Sequence, residues 1–180
     1  MTSSRNCAYL FLFCLAVISL ACARGTGDTN SNSTKTPAGT VPAGMTSVKV
    51  VKATAAEAQV PAGGSAEASV TLTIQNGYHV NANPPSFPYL RATEITVQPG
   101  DGLSVGFITY PTALTKKFSF ADQPLAVYEG DAVVKVMLKA TTSATKGQRS
   151  LPAKVQIQAC DDQVCYAPGT LELSLPVIVK

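Results

Sequence analysis

Between Ala66 and Gln75 the side chains alternate without a fault. Ala68, Val70, Leu72 and Ile74 fall on one side of an extended chain, and Ser69, Thr71 and Thr73 fall on the other. A period of two over this length fits a strand with one buried face and fits no helix. Nowhere do apolar residues recur convincingly at helical spacing between capping residues. Short extended runs follow instead, separated by turn residues at intervals of roughly ten positions. Val48 and Val50 open the domain, and Tyr78 to Asn81 reads as a short return strand. Thr93 to Val97 and Leu103 to Tyr110 flank the turn signal Pro99-Gly100-Asp101-Gly102. Leu125 to Tyr128 and Ala132 to Leu138 read as a hairpin around Glu129-Gly130-Asp131, and Val155 to Cys160 and Leu171 to Val179 close the domain. Asn83 to Pro88 is too rich in proline to extend a ladder, and Thr112 to Pro124 reads as irregular. The expected fold is all-β, a β-sandwich, with a closed barrel as the alternative that periodicity leaves open.

The rest of the chain divides by texture. Arg5 and the apolar stretch Cys7 to Ala21 read as a cleaved secretory signal, too short for a comfortable membrane span. Two processing sites compete. Ala21-Cys22-Ala23 suits an ordinary signal peptidase, while Ser19-Leu20-Ala21-Cys22 resembles a lipobox with Cys22 as the lipidated first residue. The lipoprotein reading is preferred because a tether follows directly: Arg24 to Gly44 is rich in Thr, Gly, Asn, Ser and Pro and too poor in apolar surface to fold. The expected organisation is a signal at 1–22, a disordered tether at 23–46 and a folded domain at 47–180.

Composition excludes several functions. Of 180 residues, 46% are hydrophobic, enough for a core, and the net charge is only +3 with no basic stripe, which argues against nucleic acid. His79 is the only histidine, so a multi-histidine metal site and a serine-hydrolase triad have no basis. His79 itself reads as a structural, hydrogen-bonding side chain in preference to a base or a ligand. No cofactor and no metal are expected.

The chain has five cysteines. Cys7 and Cys14 leave with the signal, and Cys22 is lipidated or removed. Cys160 and Cys165 alone remain, in a compartment that oxidises thiols. They lie in Val155-Gln156-Ile157-Gln158-Ala159-Cys160-Asp161-Asp162-Gln163-Val164-Cys165-Tyr166. If the alternation holds, Cys160 shares the polar face with Gln156 and Gln158, and Asp161-Asp162 turns the chain so that the sulfurs can meet. As a staple the pair is weak: so short a loop is worth about 2 kcal/mol, against nearly 5 for a loop of about a hundred residues. Exported domains do carry short structural disulfides, and the residues alone leave a redox pair and a permanent staple about equal. The neighbouring carboxylates and the absence of an adjacent cation argue against an acidic thiol.

The segment Gln158-Ala159-Cys160-Asp161-Asp162-Gln163-Val164-Cys165-Tyr166-Ala167-Pro168 resembles the signature of the amino-terminal domain of the DsbD family of thiol:disulfide interchange proteins. Gly77-Tyr78-His79-Val80-Asn81, Tyr110-Pro111, Phe118 to Phe120 and Val127-Tyr128-Glu129-Gly130 are similar to further parts of it, so the resemblance spans about Val48 to Lys180. It implies an immunoglobulin-like sandwich in the periplasm. Its cysteine pair would relay electrons between a membrane-embedded or thioredoxin-like donor and oxidised envelope proteins. It also implies roles: Cys165 as the attacking cysteine, Cys160 as its resolving partner, and an aromatic cap for which Phe118 or Phe120 is the candidate. Tyr166 and Tyr78 are candidates to flank the sulfurs; core packing is the alternative for all four rings. Ile157 and Ala167 depart from the family's usual residues, which bears on specificity more than on fold. Full-length members continue into membrane helices and a thioredoxin domain, so with an end at Lys180 either a separate donor or recruitment of the domain to another task is expected. The rival function is a lipid-tethered binding or structural sandwich with a permanent disulfide, attached to the membrane only through its anchor.

Overall fold

A computed structural model describes residues 44–180. The proposed signal, the lipidation candidate Cys22 and nearly all of the proposed tether lie outside the described residues. Twelve strands form three four-stranded sheets. In the first, β1 (Val51–Ala55), β3 (Ser65–Ile74), β9 (Asp131–Ala140) and β6 (Leu103–Thr109) lie in that order, all antiparallel. In the second, β2 (Ala58–Val60), β12 (Gly169–Val179), β10 (Gly147–Ile157) and β5 (Glu94–Val97) are neighbours, with β2 parallel to β12. The third is small: β11 (Ala159–Cys160), β4 (His79–Asn81), β8 (Leu125–Tyr128) and β7 (Leu114–Lys116).

The first two sheets close over one core, as an immunoglobulin-like sandwich requires. Val70 and Leu72 of β3 and Val134, Val136 and Leu138 of β9 meet Val155 and Ile157 of β10 and Leu175 and Val177 of β12, all fully buried. Each such side chain contributes about 1.5–3 kcal/mol of transfer free energy. The alternation expected in β3 is present, with Ala68, Val70, Leu72 and Ile74 inward. The Pro99–Gly102 turn is present too, with Asp101 and Gly102 both at positive φ.

Three local readings need correction. Ser47–Lys49 is a turn of 3₁₀ helix, and the first strand begins at Val51. Thr112 to Pro124 contains a short strand, β7. The hairpin around Gly130 does not form. β8 pairs with β4 and β7 in the small sheet, whereas β9 pairs with β3 and β6 in the large one. Gly130, at φ 60°, lets the chain cross between them. That crossing sends β8 into the third sheet, and the third sheet carries Cys160.

Candidate functional site

Cys160 ends β11 and is joined to Cys165 by a disulfide, with Cα atoms 3.9 Å apart. The loop between them is a closed turn. Asp161 N–H donates to the Val164 carbonyl at 3.0 Å, and Tyr166 N–H donates to the Ala159 carbonyl at 2.8 Å. Asp161 organises it: Oδ1 accepts from the backbone N–H of Gln163 and of Val164, each at 2.8 Å, and Oδ2 accepts from the Tyr166 hydroxyl. An aspartate opening a turn and binding the amides two and three residues on is a local preference of that side chain. Burial pushes the Asp161 carboxyl up, but the bonds from Tyr166, Gln163 and Val164 outweigh it and hold the carboxyl below its usual value. The same bond to Asp161 pushes the Tyr166 hydroxyl well up.

The two sulfurs differ in environment. On β11, Ala159 pairs with Val80 and both join the main core, while Cys160 pairs with His79 on the opposite face. The alternation therefore assigns Cys160 to the right side. That side is not a polar, solvated surface, however: Cys160 is 0% exposed, and Cys165 is half-buried. The outer face of β11 and β4 lies under a lid formed by the chain after β7. Phe118 stacks on His79 with ring centroids 4.0 Å apart, and Phe120 stacks on Phe118 at 5.4 Å. Phe118 is buried with Leu125 and Val127 in a cluster separate from the main core, whereas Phe120 is 38% exposed.

Polar bonds hold the lid down. Ser119 Oγ donates to the Asp162 carbonyl at 2.6 Å, Lys117 Nζ donates to the Ala121 carbonyl at 2.6 Å, and Lys116 pairs with Glu129 at 2.6 Å. Lys116 Nζ also sits 5.6 Å from the Phe118 ring centroid, within cation–π range. Beyond the lid lies a groove of about 390 Å³, lined by Phe87, Tyr89, Leu90, Phe120, Leu125 and Cys165 among others. Phe87 and Tyr89 stack at 5.3 Å along it, and Tyr89 is 76% exposed. Cys165 therefore opens onto an aromatic groove while Cys160 does not line it.

Of the two flanking candidates, Tyr166 is a core side chain at 1% exposure, reaching the cysteine turn through Asp161. Tyr78 packs against it with ring centroids 6.0 Å apart. Sequence reasoning missed three positioning residues. Ser47 Oγ donates to the Ala167 carbonyl at 2.6 Å and accepts from Ala159 N–H at 3.0 Å, clamping both sides of the cysteine turn. Gln158 marks the break between β10 and β11: its Oε1 accepts from Asn81 Nδ2 and from Arg91 N–H, each at 3.2 Å. Ser119 has no sequence signal at all. His79 leaves its buried Nε2 without a hydrogen-bond partner among the described residues. Burial lowers its pKa to about 4. No three acidic, His or Cys side chains gather to hold a metal among the described residues, and no helix there is long and apolar enough to cross a membrane.

These features define an all-β sandwich domain with one disulfide at a strand end, half open to an aromatic groove. The family described as thiol:disulfide interchange protein DsbD, N-terminal, matches residues 47–176, and the chain belongs to that family. The resemblance read from the cysteine segment is thereby borne out. Among solved structures, the N-terminal domain of Neisseria meningitidis DsbD in its reduced form is 19% identical, with a TM-score of 0.42 over 60% of this chain and 74% of that one. The N-terminal periplasmic domain of ScsB from Proteus mirabilis is 18% identical, with a TM-score of 0.48 over 69% of this chain and 44% of that one. No curated protein matches the chain.

Proposed function

We propose that this domain is a thiol–disulfide interchange module of the bacterial envelope, relaying electrons between a thioredoxin-like or membrane-embedded donor and oxidised periplasmic proteins. The observation that carries this reading is the asymmetry of the disulfide, with Cys165 on the groove and Cys160 sealed. Access decides which sulfur an incoming thiolate meets. A donor thiolate attacks Cys165 Sγ and forms a mixed disulfide, and the bond to Cys160 breaks with its electron pair passing to Cys160 Sγ. The donor's second thiol then releases Cys165. The donor leaves oxidised, and the domain holds two thiols that repeat the exchange with an oxidised client. No cofactor takes part. Placement in the periplasm, with an anchor at Cys22, is supported by the apolar leader and the lipobox-like Ser19-Leu20-Ala21-Cys22.

The test is covalent trapping. C160A leaves Cys165 without its resolving partner and is expected to accumulate mixed disulfides in cells, whereas C165A is expected to accumulate few. A reversed pattern would reverse the roles. The rival, a permanent structural disulfide, is favoured by the complete burial of Cys160. Absence of adducts from both folded variants would support it.

A further inference from the structure

His79 is 1% exposed, and its Nε2 has no hydrogen-bond partner among the described residues. A buried polar atom left unpaired is uncommon and calls for a reason. The register supplies one. His79 stands directly opposite Cys160, so both side chains leave the small sheet on the same face, neighbours across the strands. Phe118 covers the imidazole at 4.0 Å. The ring is thus confined beneath the lid, on the face that carries the sealed sulfur.

Resting on the exchange reading, the chemistry shows what the atom lacks. When the bond to Cys165 breaks, the electron pair arrives on a sulfur that is 0% exposed. A thiolate there is out of reach of bulk water and poorly solvated. The carboxylate adjacent in sequence, Asp161, repels it and is already bound by Tyr166, Gln163 and Val164. We propose that His79 Nε2 is the hydrogen-bond partner of the Cys160 sulfur in the opened disulfide. The imidazole N–H donates to the departing thiolate, and once that sulfur is protonated its S–H donates to the bare Nε2 of the other tautomer. Both protons that end on Cys160 and Cys165 are those the donor dithiol gives up. Because the closed disulfide leaves Nε2 unpaired, the contact favours the reduced state.

The groups around the ring suit this role. Glu129, Asp161 and Asp162 raise its proton affinity and Lys116 lowers it, but burial dominates. The ring is therefore neutral near pH 7, a hydrogen-bond partner and not a fixed cation.

The test compares the full chain in its disulfide form and after chemical reduction, following the His79 ring nitrogens by ¹⁵N NMR. The Nε2 resonance is expected to move on reduction. In parallel, the equilibrium of H79F with glutathione is expected to shift about tenfold toward the disulfide, or about 30 mV, and H79Q, which returns an N–H near that place, is expected to recover much of it. An Nε2 resonance unchanged on reduction, with H79F within twofold of wild type, overturns the proposal even if exchange with thioredoxin is intact. If the wild type ignores thioredoxin yet Nε2 still moves on chemical reduction, the contact stands and the relay reading falls. Should H79F fail to fold, the wild-type spectra decide alone.

Discussion

Ser119 Oγ donates a hydrogen bond to the carbonyl of Asp162 at 2.6 Å, linking the aromatic lid to the cysteine turn. Residues 43 positions apart are held so that Phe118 and Phe120 stay stacked over the strand of His79. Exposed hydrogen bonds of this kind contribute about 0.5–1 kcal/mol. S119A is therefore expected to leave global stability nearly unchanged and to raise the rate of disulfide reduction by glutathione about two- to fivefold, measured by stopped flow.

The two lid rings are expected to separate stability from access. Phe118 is 3% exposed and anchors the small cluster with Leu125 and Val127. F118A is expected to cost about 3 kcal/mol in urea denaturation and to speed reduction of the disulfide. Phe120 is partly exposed, so F120A is expected to cost less than about 1 kcal/mol and to act mainly on the groove, altering reaction with protein thiols more than with small ones.

Asp161 holds the turn through two backbone amides and the buried Tyr166 hydroxyl. D161A strands all three donors and is expected to cost about 2–3 kcal/mol. Because the folded carboxyl lies below its unfolded value, its contribution is full above about pH 4 and is lost as pH falls through the folded value. The acid limb of the wild-type stability curve is expected to flatten in D161A.

His79 gives a second pH step with its own window. Its pKa falls from 6.5 in the unfolded chain to about 4 in the fold. The unfolded state then binds the proton first as pH drops, so stability declines from about pH 6.5 and the loss is complete near pH 4. The full step amounts to about 3 kcal/mol. Denaturation of the oxidised protein across that range is expected to show the step in wild type and to lose it in H79F.

Much of the sandwich was legible because alternation reports which side of a strand is buried. β3 and the end of β12 follow it, and Ala159 and Cys160 fall on the faces it assigns. Alternation does not report which sheet a strand joins. Leu125–Tyr128 and Asp131–Ala140 look like one hairpin because they are adjacent, yet they pair with different partners. Nor does it report what covers a face: Cys160 is fully buried, and its cross-strand neighbour His79 is covered by Phe118, some forty positions before that cysteine. Asp161 carried a turn signal that pointed to the right place. Ser119, between two phenylalanines, carried none, and the orphaned nitrogen of His79 exists only in three dimensions.

The most direct measurement is the redox equilibrium of the folded domain with thioredoxin, read by thiol quantification while circular dichroism monitors the fold. Exchange through Cys165 predicts that reduced thioredoxin opens the Cys160–Cys165 bond without unfolding, with a potential above about −300 mV. A disulfide that stays closed against thioredoxin while the sandwich stays folded would contradict it and leave a permanent staple.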